Sequence, residues 1–248
     1  MMPFDIQIFF PAPPVAKDLA QRLETLYEIF LKLGEQDRPL RPQNWLLATG
    51  DIDGSFRYPV FDEQKVSDAL IAYFCKRYRG EPASSCRHVT LWNGVMEEGE
   101  GASIAYQFNH EDGAPEILSL SVPDMSAWNA AGVVQIIEVA VRLYAPRVLF
   151  VQPATYQAVF RDKPSVAWML YLPLQLSSMQ VPEAARLEPV HDANGRLIGT
   201  IIISVADAIF DIDHPDHVRI AHDIEVRLTD QDLLPSYPHL LLDGNIIG

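Results

Sequence analysis

Three consecutive strand-like segments lie in the middle of the chain, and they constrain its fold more than any other feature. Each has the residue pattern that is typical of a β-strand. Glycine-containing turns at 99–101 and 110–113 separate them, and short turns of this kind join antiparallel neighbours. The sequence therefore predicts an antiparallel meander made of residues 88–93, 102–108 and 116–122.

Periodic apolar residues predict four helices around this meander, at 15–34, 63–77, 125–144 and 214–229. Asp62 and Asp124 stand where they would cap the second and third helices. In the first helix the apolar residues recur at steps of four and three, which places them on one helical face. These residues are Leu19, Leu23, Leu26, Phe30 and Leu33.

Further strands are predicted outside the meander, and together with it they define the fold class. A turn containing Asn194-Gly195 is a strong hairpin signal. Because strands outnumber helices and the central ones are consecutive, we expect an α+β fold, with an antiparallel or mixed sheet and about four packed helices. The additional strands are 5–10, 45–47, 148–151, 167–172 and the two arms of the hairpin, 187–191 and 196–204.

The 248 residues, 48% of them apolar, are long enough to bury a sizeable core. We expect a single domain spanning 1–248, and a subdomain boundary near 145–150 is the alternative. The chain has only two cysteines, Cys75 and Cys86, which fits a reducing compartment. Neither a signal peptide nor an apolar run long enough for a membrane span is visible, so the cytoplasm is the expected location.

The charge balance indicates the kind of partner. Asp and Glu number 33 against 19 Lys and Arg, which gives a formal net charge of −14. Such a surface repels phosphate backbones and anionic lipids, so direct binding to nucleic acid or to a membrane is not expected. A basic protein is the natural complement.

Acidic residues concentrate in the predicted meander, because no Lys or Arg occurs between His88 and Val141. The stretch also contains Glu116, Asp124 and Glu138. If the two turns of the meander meet in space, their carboxylates form one acidic rim that would attract a basic partner; the alternative is an ordinary solvated surface. The candidate partner-binding residues are Glu97, Glu98, Glu100, Glu111 and Asp112 in the two turns, with Asp51 and Asp53 in an earlier turn at 50–54.

Large aromatic residues are the second candidate element of an interface. Core packing is the default interpretation for Trp92 and Trp168. The alternative is that one of them, or Phe56 or Tyr58 near the turn at 50–54, anchors a partner.

No enzyme signature is present, so we predict no catalytic residue, no metal and no cofactor. Gly-x-Gly-x-x-Gly, Walker, His-Glu-x-x-His and Gly-x-Ser-x-Gly patterns are all missing. The one stretch that resembles a metal site is 211–217, Asp-Ile-Asp-His-Pro-Asp-His. Helix capping explains it better, with Asp213 or His214 as the cap, Pro215 in the first turn and Asp216 complementing the helix dipole.

Four segments of the chain resemble the immunity protein 52 family of polymorphic toxin systems. They are Trp92-Asn93-Gly94 after an apolar strand, the strand 119–123 ending in Val-Pro, 168–172 (Trp-Met-Leu-Tyr-Leu), and 210–218 leading into a helix and then Leu-Leu-Pro at 233–235. Their order and spacing fit the family over 88–235, whereas the N-terminal part resembles it only loosely. His214 stands where the family pattern has Asn. The motif residues, with a structural or an interface role, are Trp92, Asn93, Gly94, Trp168, Tyr171, Asp213, Pro215 and His217.

The resemblance implies a cytoplasmic antitoxin encoded beside a toxin with a restriction-endonuclease-like domain, of the kind often delivered by type VI secretion. Such an immunity protein binds the cognate toxin, here expected to be a nuclease, and occludes its active site or basic cleft without catalysing a reaction. Two alternatives remain from the residues themselves: a metal-dependent, hydrolase-like enzyme centred on 211–217, and an adaptor for a partner that is not a toxin.

Overall fold

Nine strands form one sheet in the computed structural model, which describes residues 2–12, 18–81, 86–108 and 115–242. A separate two-stranded hairpin, β3–β4, lies outside it. The strands are β1 (Phe4–Pro11), β2 (Leu46–Leu47), β3 (Phe61–Asp62), β4 (Lys65–Val66), β5 (His88–Trp92), β6 (Ser103–Gln107), β7 (Pro115–Val122), β8 (Val148–Pro153), β9 (Met169–Leu172), β10 (Arg186–His191) and β11 (Leu197–Ile203).

All neighbours in the large sheet are antiparallel, in the order β10-β11-β9-β8-β1-β7-β6-β5-β2. The predicted meander β5-β6-β7 and the predicted hairpin β10-β11 are both confirmed. The first strand, β1, lies between β7 and β8, so one sheet contains strands from both sides of residues 145–150.

The helices complete an α+β fold, which confirms the predicted class. Those of the described residues are α1 (Leu19–Gln36), α2 (Ile52–Ser55), α3 (Asp68–Arg77), α4 (Ala130–Tyr144), α5 (Pro215–Asp230) and α6 (Tyr237–Leu242). None of them is both long and apolar enough to cross a bilayer.

Two helix starts were predicted wrongly, because Asp serves local turns as well as helix caps. Asp124 accepts hydrogen bonds from the backbone N–H and the hydroxyl of Ser126, and the cap of α4 is Asn129. Asp62 belongs to β3, and the hydroxyl of Ser67 caps α3 by accepting from the N–H of Leu70.

The two faces of the sheet pack against different helices. Along β1, alternate residues point to opposite faces, as the pleat requires. Phe4, Ile6, Ile8 and Phe10 enter the larger core with α1 and α4, whereas Phe9 enters a second core with α5 and α6. Helix residues of the second core are Ile224, Leu228 and Leu240.

Candidate partner-binding surface

The Trp92-Asn93-Gly94 motif fixes the loop that joins β5 to β6. Asn93 is buried. Its N–H donates to the carbonyl of Ala102 and its Oδ1 accepts from the N–H of Ala102, so two hydrogen bonds join the two ends of the connection between β5 and β6. Gly94 has φ +72°, a backbone conformation that favours glycine, and Phe56 and Leu46 lie beside it. The motif therefore holds the loop in a defined position at the sheet edge.

Residues 95–101 of this connection form what we call the acidic loop. Glu97, Glu98 and Glu100 are all exposed, as predicted for a surface turn. The N–H of Glu100 donates to the carbonyl of Glu97 over 3.1 Å, and Gly99 has φ +80°. A short turn thus presents three carboxylates together to solvent, close to the anchored Asn93.

Apolar side chains next to the acidic loop form the Trp92 patch, defined as the exposed Ile52, Phe56 and Met96 together with the half-buried Trp92. The rings of Phe56 and Trp92 meet edge to face, with centroids 5.8 Å apart. Phe56 is 49% exposed, and Ile52, one helical turn earlier, is 55% exposed. Met96, in the acidic loop itself, is 65% exposed. Apolar surface of this kind in contact with charged residues is typical of a binding site.

The turn at 50–54 is a short helix, and its carboxylates have different surroundings. Asp51 caps α2, since its Oδ2 accepts from the N–H of Gly54 over 2.8 Å. Asp53 is exposed in the first turn. Because α2 begins at Ile52 and Phe56 is its C-cap, both carboxylates belong to the segment that builds the Trp92 patch.

The expectation of one acidic rim around both turns of the meander is wrong. Strand β6 runs antiparallel to both neighbours, so its connection to β5 leaves near Ser103 and its connection to β7 leaves after Gln107. A strand of this length separates the two points by about 13 Å along the sheet. Glu111 and Asp112 lie outside the described residues.

Glu116 does not contribute to any acidic surface, because it is fully buried. It forms an ion pair with Arg22 of α1, and the hydroxyl of Tyr106 donates to its Oε2 over 2.8 Å. The guanidinium of Arg22 also lies over the ring of Phe108. This ion pair could not be predicted from the sequence, because Arg22 and Glu116 are far apart in the chain.

Trp168 of the 168–172 motif is a core residue, as the default interpretation predicted, and Tyr171 of the same motif is also buried. Trp168 is fully buried, donates from its indole nitrogen to the carbonyl of Val205 and packs edge to face on Phe4. The hydroxyl of Tyr171 donates to the carbonyl of Ile198, and desolvation raises its pKa to about 12.

The 211–217 segment is organised as a helix start. Pro215 is the first residue of α5, and His214 is the cap position, without a side-chain capping bond. Instead, Nδ1 of His217 accepts from the N–H of Asp211 over 3.0 Å, and Oδ1 of Asp211 accepts from the N–H of Asp213. In the part of the chain that the structure describes, no group of three or more His, Cys, Asp or Glu side chains is arranged to hold a metal ion.

A second buried carboxylate, Glu225 of α5, was missed entirely. It accepts hydrogen bonds from the N–H groups of Val159 and Val166 and from the hydroxyl of Tyr156. It thereby holds the connection between β8 and β9 against α5. A signal was present, because Glu225 follows Ala221 by four residues and so lies on the buried face of the helix.

Comparison with known proteins finds similarity to solved structures, including one that is distant in sequence. No family model matches the chain, and no curated protein is significantly similar to it. A solved structure of a T6SS protein from Pseudomonas aeruginosa is similar at 11% identity with a TM-score of 0.49. The alignment covers 92% of this chain and 73% of that chain. Similarity this low carries no inference about function.

Proposed function

We propose that this protein is an immunity protein that binds a toxin encoded beside it and blocks the toxin by covering a basic cleft. The observation that carries the proposal is the acidic loop. This loop lies beside the Trp92 patch, and it belongs to a stretch of sequence that has no Lys or Arg. The four motifs that resemble the immunity protein 52 family point the same way.

Charge supports the proposed kind of target. A nuclease binds a phosphate backbone through Lys and Arg, so its active-site cleft is basic. Glu97, Glu98 and Glu100 offer carboxylates at positions where phosphates would otherwise lie. Long-range attraction between surfaces of opposite charge raises the association rate, to as much as about 10⁸–10⁹ M⁻¹s⁻¹ at low salt.

The Trp92 patch supports tight binding rather than attraction alone. Aromatic side chains that become desolvated at the centre of an interface contribute most of the binding energy in many complexes. Phe56 and Trp92 already pack on each other, so little side-chain freedom is lost when a partner covers them. Inhibition of this type needs no catalytic group. It would take place in the cytoplasm, where a nuclease toxin would act.

The first test is co-expression with the product of the neighbouring gene. We expect a stable complex in a pull-down, and rescue of growth in cells that express the toxin. If the neighbouring product is not toxic, or is toxic but does not bind this protein, the proposal is wrong.

The second test measures association rates against salt concentration for a triple variant, Glu97→Gln with Glu98→Gln and Glu100→Gln. We expect slower association and a weaker salt dependence, because the attracting charge is removed. The matched control is Glu24→Gln with Asp230→Asn and Asp232→Asn, which changes the net charge equally at exposed positions outside the acidic loop. Equal association rates for the two triple variants would show that the acidic loop lies outside the interface.

A further inference from the structure

One face of the meander and of β1, which we call the open face, remains partly accessible to solvent in the part of the chain that the structure describes. Strand register places Trp92, Ser103, Ser121 and Asp5 in one row across four strands. The next row is formed by Thr90, Ala105, Ser119 and Gln7.

Burial distinguishes this open face from the opposite one. The alternate residues of the same strands, such as Leu91, Ile104 and Leu120, are buried in the larger core. Ser103 is exposed, and the other seven members of the two rows are half-buried. The second core, under α5 and α6, includes Phe9 of β1 and packs on Ile117, but no residue of either row belongs to it.

The open face is flat and lacks cations. Its four central residues are all Ser or Ala, whose side chains extend only a short way above the backbone; they are Ser103, Ala105, Ser119 and Ser121. No Lys or Arg occurs in β1, β5, β6 or β7. The row that ends in Trp92 leads directly to the acidic loop, which follows Trp92 and precedes Ser103.

Asp5 is the one carboxylate on the open face, about 14 Å from Trp92 across three strand spacings. Ser121 donates a hydrogen bond to it, but burial outweighs this bond and raises the pKa of Asp5. None of the salt bridges formed by the described residues involves Asp5. A desolvated carboxylate of this kind gains most from a cation brought by another molecule.

Size indicates that the open face and the Trp92 patch act together. Four strands of about five residues give a flat area of about 300 Å². A specific protein interface buries about 800 Å² on each partner, so the open face alone is too small. Because Trp92 belongs to both, the open face extends the Trp92 patch toward the required area.

We propose that the open face of β5, β6, β7 and β1 docks a basic protein surface, with Trp92 at one end of the contact and Asp5 receiving an Arg or Lys of the partner at the other. This inference rests on the proposed function and specifies where the toxin lies. The toxin would cover the sheet itself, beyond the acidic loop that attracts it.

Ala105→Lys tests the docking face, because it places a long cation in the middle of the open face. The binding partner in the assay is the product of the neighbouring gene, and affinity is measured by titration calorimetry. We expect Ala105→Lys to weaken binding by at least about 100-fold, through obstruction and like-charge repulsion. The matched control is Ala193→Lys, the same substitution at the exposed turn of the β10–β11 hairpin, with an expected change of less than about threefold.

A second variant, Ser103→Lys, introduces the cation at an exposed position, where folding tolerates it. Thermal unfolding of each variant shows that the sheet is intact. If both face variants bind as the wild type does, the docking face is wrong while the proposed function stands. If the wild type does not bind the product of the neighbouring gene, the docking face and the proposed function are both wrong. If Ala105→Lys instead dissociates a dimer of the free protein, the face belongs to a second copy and the inference is also wrong.

Discussion

Arg22 and Glu116 form an ion pair that is almost completely excluded from solvent, beneath α1 and against the edge of the meander. The pair joins α1 to β7, and Tyr106 adds a hydrogen bond to the carboxylate. Burying two charges is costly, and mutual neutralisation offsets that cost only while both partners are present. The ion pair thus fixes α1 against β7, one of the four strands that form the open face.

Arg22→Met should destabilise the protein by about 3–5 kcal/mol, because Glu116 then remains buried without its cation. Urea unfolding measures the change. The double variant Arg22→Met with Glu116→Gln should recover much of the loss, since no buried charge remains. The exposed ion pair of Arg219 with Asp216 is the control, and Arg219→Met should cost far less, because solvent screens an exposed pair. Equal losses for Arg22→Met and Arg219→Met would contradict this view.

Glu225 should make stability depend on pH in a defined direction. Burial raises the pKa of its carboxyl above the ordinary 4.5, so protonation is favoured in the folded state. Its contribution to stability is complete below about pH 4.5 and is lost as pH rises through the folded-state pKa. The free energy of unfolding of the wild type, relative to Glu225→Gln, should therefore fall as pH rises from 4.5 toward neutrality.

The comparison must be made between the two proteins at each pH, because other carboxyls also titrate. Glu225→Gln should itself cost about 1–3 kcal/mol, since one carboxylate oxygen that accepts from Val159 is replaced by an amide donor. A wild-type minus variant difference that is constant with pH would show that Glu225 has the same pKa in both states.

His217 should give the opposite pH dependence. Its pKa is lowered from 6.5, first by burial and next by His214, whose ring stacks on it at 4.2 Å, against the raising effect of Asp211, Asp207 and Asp216. A lowered pKa favours the neutral ring in the folded state, so stability present above pH 6.5 is lost as pH falls through the folded-state value.

His217→Asn retains an acceptor for the N–H of Asp211 but does not titrate. We expect it to remove the part of the stability loss that occurs below pH 6.5, measured by thermal unfolding over a pH series. His222→Asn is the control, because His222 lies on the same helix and bonds to the carbonyl of Gln157 instead. If His217→Asn leaves the pH dependence unchanged, another group is responsible.

The sheet was largely predictable because its signals are local. Strands β5, β6 and β7 follow alternating patterns, and Asn194-Gly195 marks the last hairpin. The separation of the two meander turns was also predictable, since successive turns of antiparallel strands leave from opposite ends of the middle strand.

The buried carboxylates were not predictable, because their partners are distant in the chain. Glu116 lies in the same acidic stretch as the exposed Glu98 and Glu100, and its burial depends on the ion pair with Arg22. The cap of α4 was predicted wrongly for a different reason. Asp124 and Asn129 are both good capping residues, and the hydrogen bond from Ser126 to Asp124 decides between them. Such choices depend on geometry that a linear pattern does not contain.

Phe56→Ala should separate the two roles that we propose for the binding surface. Removing the ring eliminates the contact with Trp92 and leaves the charge of the protein unchanged. The rate of association with the toxin should therefore change little, whereas dissociation should become about 10–100-fold faster. The triple Glu variant of the acidic loop should show the reverse, with slower association and nearly unchanged dissociation. Stopped-flow association and surface plasmon resonance dissociation measure the two rates. Leu31→Ala, at a similarly exposed apolar residue of α1, is the control and should change neither rate. If the toxin complexes of Phe56→Ala and Leu31→Ala dissociate equally slowly, the Trp92 patch lies outside the interface.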